Sequence, residues 1–152
     1  MISKIYLAGD HAGFKLKEKL KLFLVKGGYK IEDLGPYEYN PDDDYPDFVM
    51  PLAKKVAKEK NSRGILIAGS GQGEAIAANR IINVRAALYH GGSTKIVEMA
   101  RKHNNANILS FGARFVKEAE VKKAINLFLN VKFEAGRHAR RIKKIEKYSQ
   151  KL

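Results

Sequence analysis

Short apolar runs separated by longer segments of helical period dominate this chain, and that alternation restricts the folds open to it. The runs are Lys4 to Ala8 (KIYLA), Tyr29 to Leu34, Gly64 to Ala68 (GILIA), Arg85 to Tyr89 (RAALY) and Asn107 to Phe111 (NILSF). A strand that reads as continuous hydrophobe is buried on both faces, so each run predicts a strand of a parallel sheet covered by helices. The intervening segments supply those helices. Phe14 to Lys26 carries Leu16, Leu20, Phe23 and Leu24 on one stripe and stops at Gly27-Gly28. Pro46 to about Lys60 places Phe48, Leu52, Val56 and Ala57 toward a core, and Gln72 to Arg80 follows a glycine turn. Ser93-Thr94 caps a helix reaching about Lys102, and Lys117 to Asn130 completes the wrap. Five strands with crossover helices predict one doubly wound α/β domain, with sites at the carboxyl ends of the strands.

The chain's 152 residues suit a single core and no second domain. No apolar run approaches the length of a membrane span, and the opening MISKIYLAGDHAG lacks the longer apolar stretch of an export signal. Zero cysteines exclude disulfides, thiol nucleophiles and thiolate metal sites. The expected location is the cytoplasm. A net charge of +13 raises nucleic acid as a partner, but Glu32 to Asp47 concentrates seven of the sixteen acids, and Lys15, Lys17, Lys19 and Lys21 read as a solvated helix face. Without stacking platforms or a known binding motif, neither nucleic acid nor membrane is expected as a partner.

Chemistry concentrates in a few stretches. In ILIAGSGQGEAIAANR, Gly69, Gly71 and Gly73, with Ser70 and Gln72 between them, let backbone amides approach one anionic or carbonyl oxygen. No Gly-Lys-Ser/Thr follows, and Glu74 stands where a dinucleotide-binding loop has its third glycine. A tight structural turn is an equal reading. Glu74 is either a charge favoured by the helix N-terminus or, if desolvated, a general base. Asp10-His11 follows the first strand, where the pair either caps a helix or binds a sugar hydroxyl and a ring oxygen or phosphate. His103-Asn104 ends the fourth helix and faces the same choice between dipole partner and cleft residue.

The basic tail from Val131 holds eight Lys or Arg against two Glu, and its few apolar residues, Ile142, Ile145 and Tyr148, suit docking on a neighbour. Arg137 and Arg141 share a helical face, with His138 beside them, and either hold a phosphate dianion or form a solvated basic face. Asp42 to Asp44 reads as a solvated loop, and the lack of HExxH or clustered histidines predicts no required metal.

GDHAG, DDDYPDF, GILIAGSGQGEAIAANR, RKHNNANILSFGAR and FEAGRHARRI, in this order, resemble the ribose-5-phosphate isomerase type B family, which includes galactose-6-phosphate isomerase subunits. The resemblance runs from Lys4 to about Tyr148. It implies a Rossmann-like three-layer α/β/α sandwich that dimerises, often to tetramers, with shared active sites and a C-terminal helix of about 136–149 docking on the partner. It also implies a metal-free, cofactor-free aldose-ketose isomerisation through an enediolate. By motif, Asp10, His11 and Tyr45 contact the phosphorylated sugar and the backbone of Gly69 to Gly73 stabilises the enediolate oxygen. His103 assists ring opening beside Asn104, and Arg114, Arg137 and Arg141 hold the phosphate, some from the partner chain. Many family members carry a cysteine base where this chain has Ala68, and GSGQGE matches a second branch in which a glutamate, here Glu74, takes that role. Ribose 5-phosphate is the expected substrate; another phosphorylated sugar, of four or six carbons, or a non-catalytic sugar-phosphate binder are the alternatives.

Overall fold

The computed structural model describes residues 2–150. Five strands, β1 (Ile5–Gly9), β2 (Ile31–Asp33), β3 (Arg63–Ala68), β4 (Ala86–Tyr89) and β5 (Ile108–Gly112), form one sheet in the order β2-β1-β3-β5-β4. Every neighbouring pair is parallel, with Leu7 opposite both Asp33 and Ile65, and Leu66 opposite Ser110. The helices are α1 (Phe14–Lys26), α2 (Pro46–Lys58), α3 (Gln72–Ala78), α4 (Lys95–Lys102), α5 (Glu118–Asn130) and α6 (Gly136–Ser149). Among the described residues no helix is long and apolar enough to cross a membrane.

Alternating strand residues feed two cores. On one face Ile5, Leu7, Ile65, Ile67, Leu109 and Phe111 pack with Leu20 and Leu24 of α1, Val97 of α4 and Val121, Ile125 and Phe128 of α5. On the other, Tyr6, Ala8, Leu66 and Ile108 pack with Val49, Leu52 and Val56 of α2 and Ala78 of α3. These faces make the expected three layers. The chain leaves β1 through a helix on one face and β3 through a helix on the other, so a crevice opens between the carboxyl ends of those strands.

Three local departures from the sequence reading have physical causes. The second strand shrinks to Ile31–Asp33 because it is the sheet edge, half-buried and paired only with β1. Helix α3 ends at Ala78 instead of Arg80, since the Asn79 side chain exchanges two hydrogen bonds with the Ala86 backbone, accepting from its N–H at 2.8 Å and donating to its carbonyl at 3.0 Å. Lys17 is not on a solvated face. It is fully buried, and its ammonium donates to Asp33 Oδ2 at 2.8 Å and to Glu18 Oε1 at 2.6 Å. At α4, the Ser93 hydroxyl accepts the Lys95 N–H at 3.3 Å, while Thr94 makes no side-chain cap bond.

Candidate active site

Strands β1, β3 and β5 are neighbours, so the loops at their carboxyl ends meet. The first, third and fifth strands deliver Asp10-His11, the glycine turn and Arg114 respectively. The Ala113 N–H donates to the Ala68 carbonyl at 2.7 Å and the Arg114 N–H to the Gly69 carbonyl at 3.1 Å, which ties the β5 loop to the turn. Ser110 of β5 donates its buried hydroxyl to the Gly71 carbonyl at 2.7 Å. Gly71 has φ +75°, and a Cβ there would lie 2.8 Å from the Phe111 carbonyl carbon, so both conformation and space call for glycine.

Side chains crowd this turn. A Cβ on Gly69 would meet the Arg114 guanidinium at 3.1 Å and one on Gly73 the Tyr45 ring at 2.8 Å, so Arg114 and Tyr45 flank the loop. Gln72 is exposed beside Ser70, whose hydroxyl accepts the Gln72 N–H at 3.3 Å. Asp10 is buried and accepts the Gly13 N–H at 3.1 Å, which fixes the entry to α1. Glu74, 4% exposed, lies in the first turn of α3. Burial pushes its carboxyl above the ordinary value, Asp10 adds to the rise, and a backbone hydrogen bond only partly opposes them. Between the two influences left open by the sequence, desolvation prevails.

Asp43 corrects the reading of a uniformly solvated acidic loop. Asp42 and Asp44 are exposed, but the Asp43 side chain is 6% exposed, with Oδ1 2.7 Å from His11 Nδ1 and accepting the His11 N–H at 3.1 Å. Its Oδ2 is buried without a partner among the described residues. Asp43 therefore orients His11, and the Tyr39 ring meets the imidazole edge-on at 6.5 Å.

His103 and Asn104 do not join this group within one chain. Helix α4 runs antiparallel to the strands, so its C-terminus lies at the amino edge of the sheet, a strand length of about 13 Å from the carboxyl edge. There His103 stacks on His138 of α6, ring centroids 4.3 Å apart and planes within 5°. A cavity of about 460 Å³ is lined by His103, Asn104, His138 and Arg141, with apolar walls from Ile96, Met99 and Ile145. Burial, followed by the proximity of His103, Arg137 and Arg141, holds His138 below its ordinary value. Thus the candidate phosphate arginines divide, Arg114 at one edge and Arg137 and Arg141 at the other. Among the described residues none of the three makes a salt bridge.

The histidines do cluster, contrary to the reading of their spacing. Ligand atoms of His103, Glu134 and His138 lie within 4.8 Å of one another, a geometry able to gather a cation, although Arg137 and Arg141 alongside disfavour one. No local pattern could have paired residues 35 positions apart, whereas DDDYPDF did mark the neighbourhood of Asp43.

A buried carboxyl behind a glycine turn, an acid–imidazole pair and unpaired arginines, all on a doubly wound α/β sheet, define an enzyme class that handles small anionic substrates. The chain belongs to the ribose/galactose isomerase family, whose family model matches residues 5–145. It is 42% identical over 151 residues to the probable ribose-5-phosphate isomerase B of Mycoplasma genitalium, covering 99% of this chain and 98% of that protein. The crystal structure of ribose-5-phosphate isomerase B from that organism with bound ribulose-5-phosphate is similar over 100% of both chains, at a TM-score of 0.94. Ribose-5-phosphate isomerase B of Clostridium thermocellum is 38% identical, with a TM-score of 0.92 over 97% of this chain and 98% of that one.

Proposed function

We propose that this chain interconverts ribose 5-phosphate and ribulose 5-phosphate as a single isomerase domain spanning residues 1–152. The observation that carries the reading is Glu74, a buried carboxyl with a raised pKa behind the glycine turn in a chain without cysteine. Relatives named ribose-5-phosphate isomerase B, one with ribulose-5-phosphate bound, support the substrate.

In the proposed reaction His103 moves the anomeric hydroxyl proton to the ring oxygen, which opens the furanose. The Glu74 carboxylate then removes the proton on C2; the C–H electrons form the C1=C2 double bond and the carbonyl electrons move onto O1. Amides of Gly69 to Gly73 stabilise that oxyanion, each donor worth about 3 kcal/mol. The O2 proton passes to O1, the O2 carbonyl forms, and Glu74 returns its proton to C1. Asp10, His11, Tyr45 and Asn104 hold the sugar, and Arg114, Arg137 and Arg141 bind the phosphate, whose binding energy fixes the reacting carbons in place.

This chemistry joins residues from opposite sheet edges, so a homodimer, alone or within a tetramer, would build each site from two chains. The 136–149 helix would dock across the dimer. Ile145 and Tyr148 of α6 and Ile96 and Met99 of α4 are exposed apolar residues suited to such a contact. The cytoplasm is the proposed location, with a cysteine-free sequence suited to a reducing compartment.

The deciding experiment follows ketose formation from ribose 5-phosphate in the presence of a chelator. Turnover is expected to be undiminished by chelation; no turnover would sink the assignment. Faster turnover of a six-carbon or four-carbon sugar phosphate would transfer it to another member of the same substrate class.

A further inference from the structure

A second cavity, of about 870 Å³, lies at the amino edge of β1 and β3 between the C-terminal ends of α1 and α5, and shares no lining residue with the His103 cavity. Among the described residues that line it, five side chains are cationic, Lys4, Lys30, Arg63, Arg101 and Lys132, and none is acidic. Among the described residues only Lys4 of these has a carboxylate partner, Glu32 at 3.1 Å.

The two guanidinium groups are the informative ones. Arg101 is 4% exposed and spends its donors on neutral acceptors, with Nη1 bonded to Asn105 Oδ1 at 2.9 Å and the Ala106 carbonyl at 2.6 Å, and Nε to the Val131 carbonyl at 3.4 Å. Arg63 donates Nη1 to the Ser62 carbonyl at 2.8 Å, while its buried Nε has no acceptor among the described residues. Burial, then repulsion from Arg63 and Arg85, brings Arg101 down to about 10. A buried cation without a counter-ion is costly, and an orphaned guanidinium donor adds to that cost. An entering anion would relieve both.

Phosphate oxygens match the planar fork of arginine, and Lys30 and Lys132 stand exposed at the rim to complete the neutralisation. The remaining wall is apolar, formed by Ile5, Leu129 and the half-buried rings of Tyr29 and Phe133. The volume falls in the range of small-molecule sites. We propose that this cavity binds a phosphate ester carrying a flat ring, of the nucleoside monophosphate class, with the phosphate on Arg63 and Arg101 and the ring against Tyr29 and Phe133.

Calorimetric titration of the intact protein with AMP tests this. One AMP per chain should bind with an affinity unchanged by Arg137→Ala with Arg141→Ala. Affinity should fall by about tenfold or more in Arg63→Gln and in the surface double variant Lys30→Glu with Lys132→Glu. Pyrophosphate, which has the charge without the ring, should bind more weakly than AMP. The proposal is overturned by loss of AMP binding on removal of the α6 arginines, by full affinity in the charge-reversed variant, by pyrophosphate binding as tightly as AMP, or by no binding.

Discussion

Glu74 contains the central chemical question at the scale of one residue. Its raised pKa means that the folded chain holds the carboxyl proton more tightly than the unfolded chain does. This group's contribution to stability therefore declines as pH rises through the raised value, while activity, which in the proposed reaction needs the carboxylate, should rise. The acid limb of kcat/KM should lie above the ordinary glutamate value of 4.5, and Glu74→Gln should reduce kcat by about 10²–10⁴-fold while ribulose 5-phosphate still binds. An acid limb at or below the ordinary value would remove Glu74 from the role. Asp43→Asn should lower kcat/KM by about tenfold, chiefly through KM, because His11 loses the carboxylate that fixes its ring while the base is untouched. Steady-state kinetics separates the two parameters. The sequence made Glu74 visible through the glycines before it, yet its ionisation depended on burial that only the assembled loops create. Asp43 was hidden for a similar reason: three adjacent aspartates look alike until one of them is covered.

Element boundaries followed the hydrophobic period closely where a helix or strand is long and central, as in α1 and β3. They slipped where a side chain at the boundary bonds to backbone elsewhere in the chain, as Asn79 after α3 does to Ala86. Lys17 shows the same limit. It sits between Leu16 and Leu20 in a lysine-rich helix, and the edge strand β2, by bringing Asp33 beside it, joins Glu18 in making burial of its ammonium tolerable. Burial alone would raise the Asp33 carboxyl, but hydrogen bonds from Lys17 and Lys21 hold it below its ordinary value. The stabilisation is present above the unfolded pKa and is lost as pH falls through the depressed folded value. Asp33→Asn should cost about 1–3 kcal/mol, read as a lower urea midpoint, since it removes one of the two carboxylates paired with the buried Lys17. Adding Lys17→Met should recover part of that loss; a double variant less stable than Asp33→Asn would contradict this account of the pair.

For the whole molecule, strand order decides more than any single motif. Placing β5 between β3 and β4 sets three carboxyl-edge loops side by side, and the sequence alone indicated the parallel strands without giving their order. Core residues on both faces bear the cost of disruption: Ile67→Ala, at a fully buried central position, should destabilise the fold by about 2–5 kcal/mol in denaturant unfolding. The same architecture put His103 at the far edge because α4 must return antiparallel to the strands it connects. That separation has a genetic consequence. If the proposed two-chain sites form, Glu74→Gln and His103→Asn, each strongly impaired as a pure protein, should complement when unfolded together and refolded, because a mixed pair carries one site free of both lesions and another holding both. Random pairing of equal amounts would restore about a quarter of wild-type activity in a two-fold symmetric assembly.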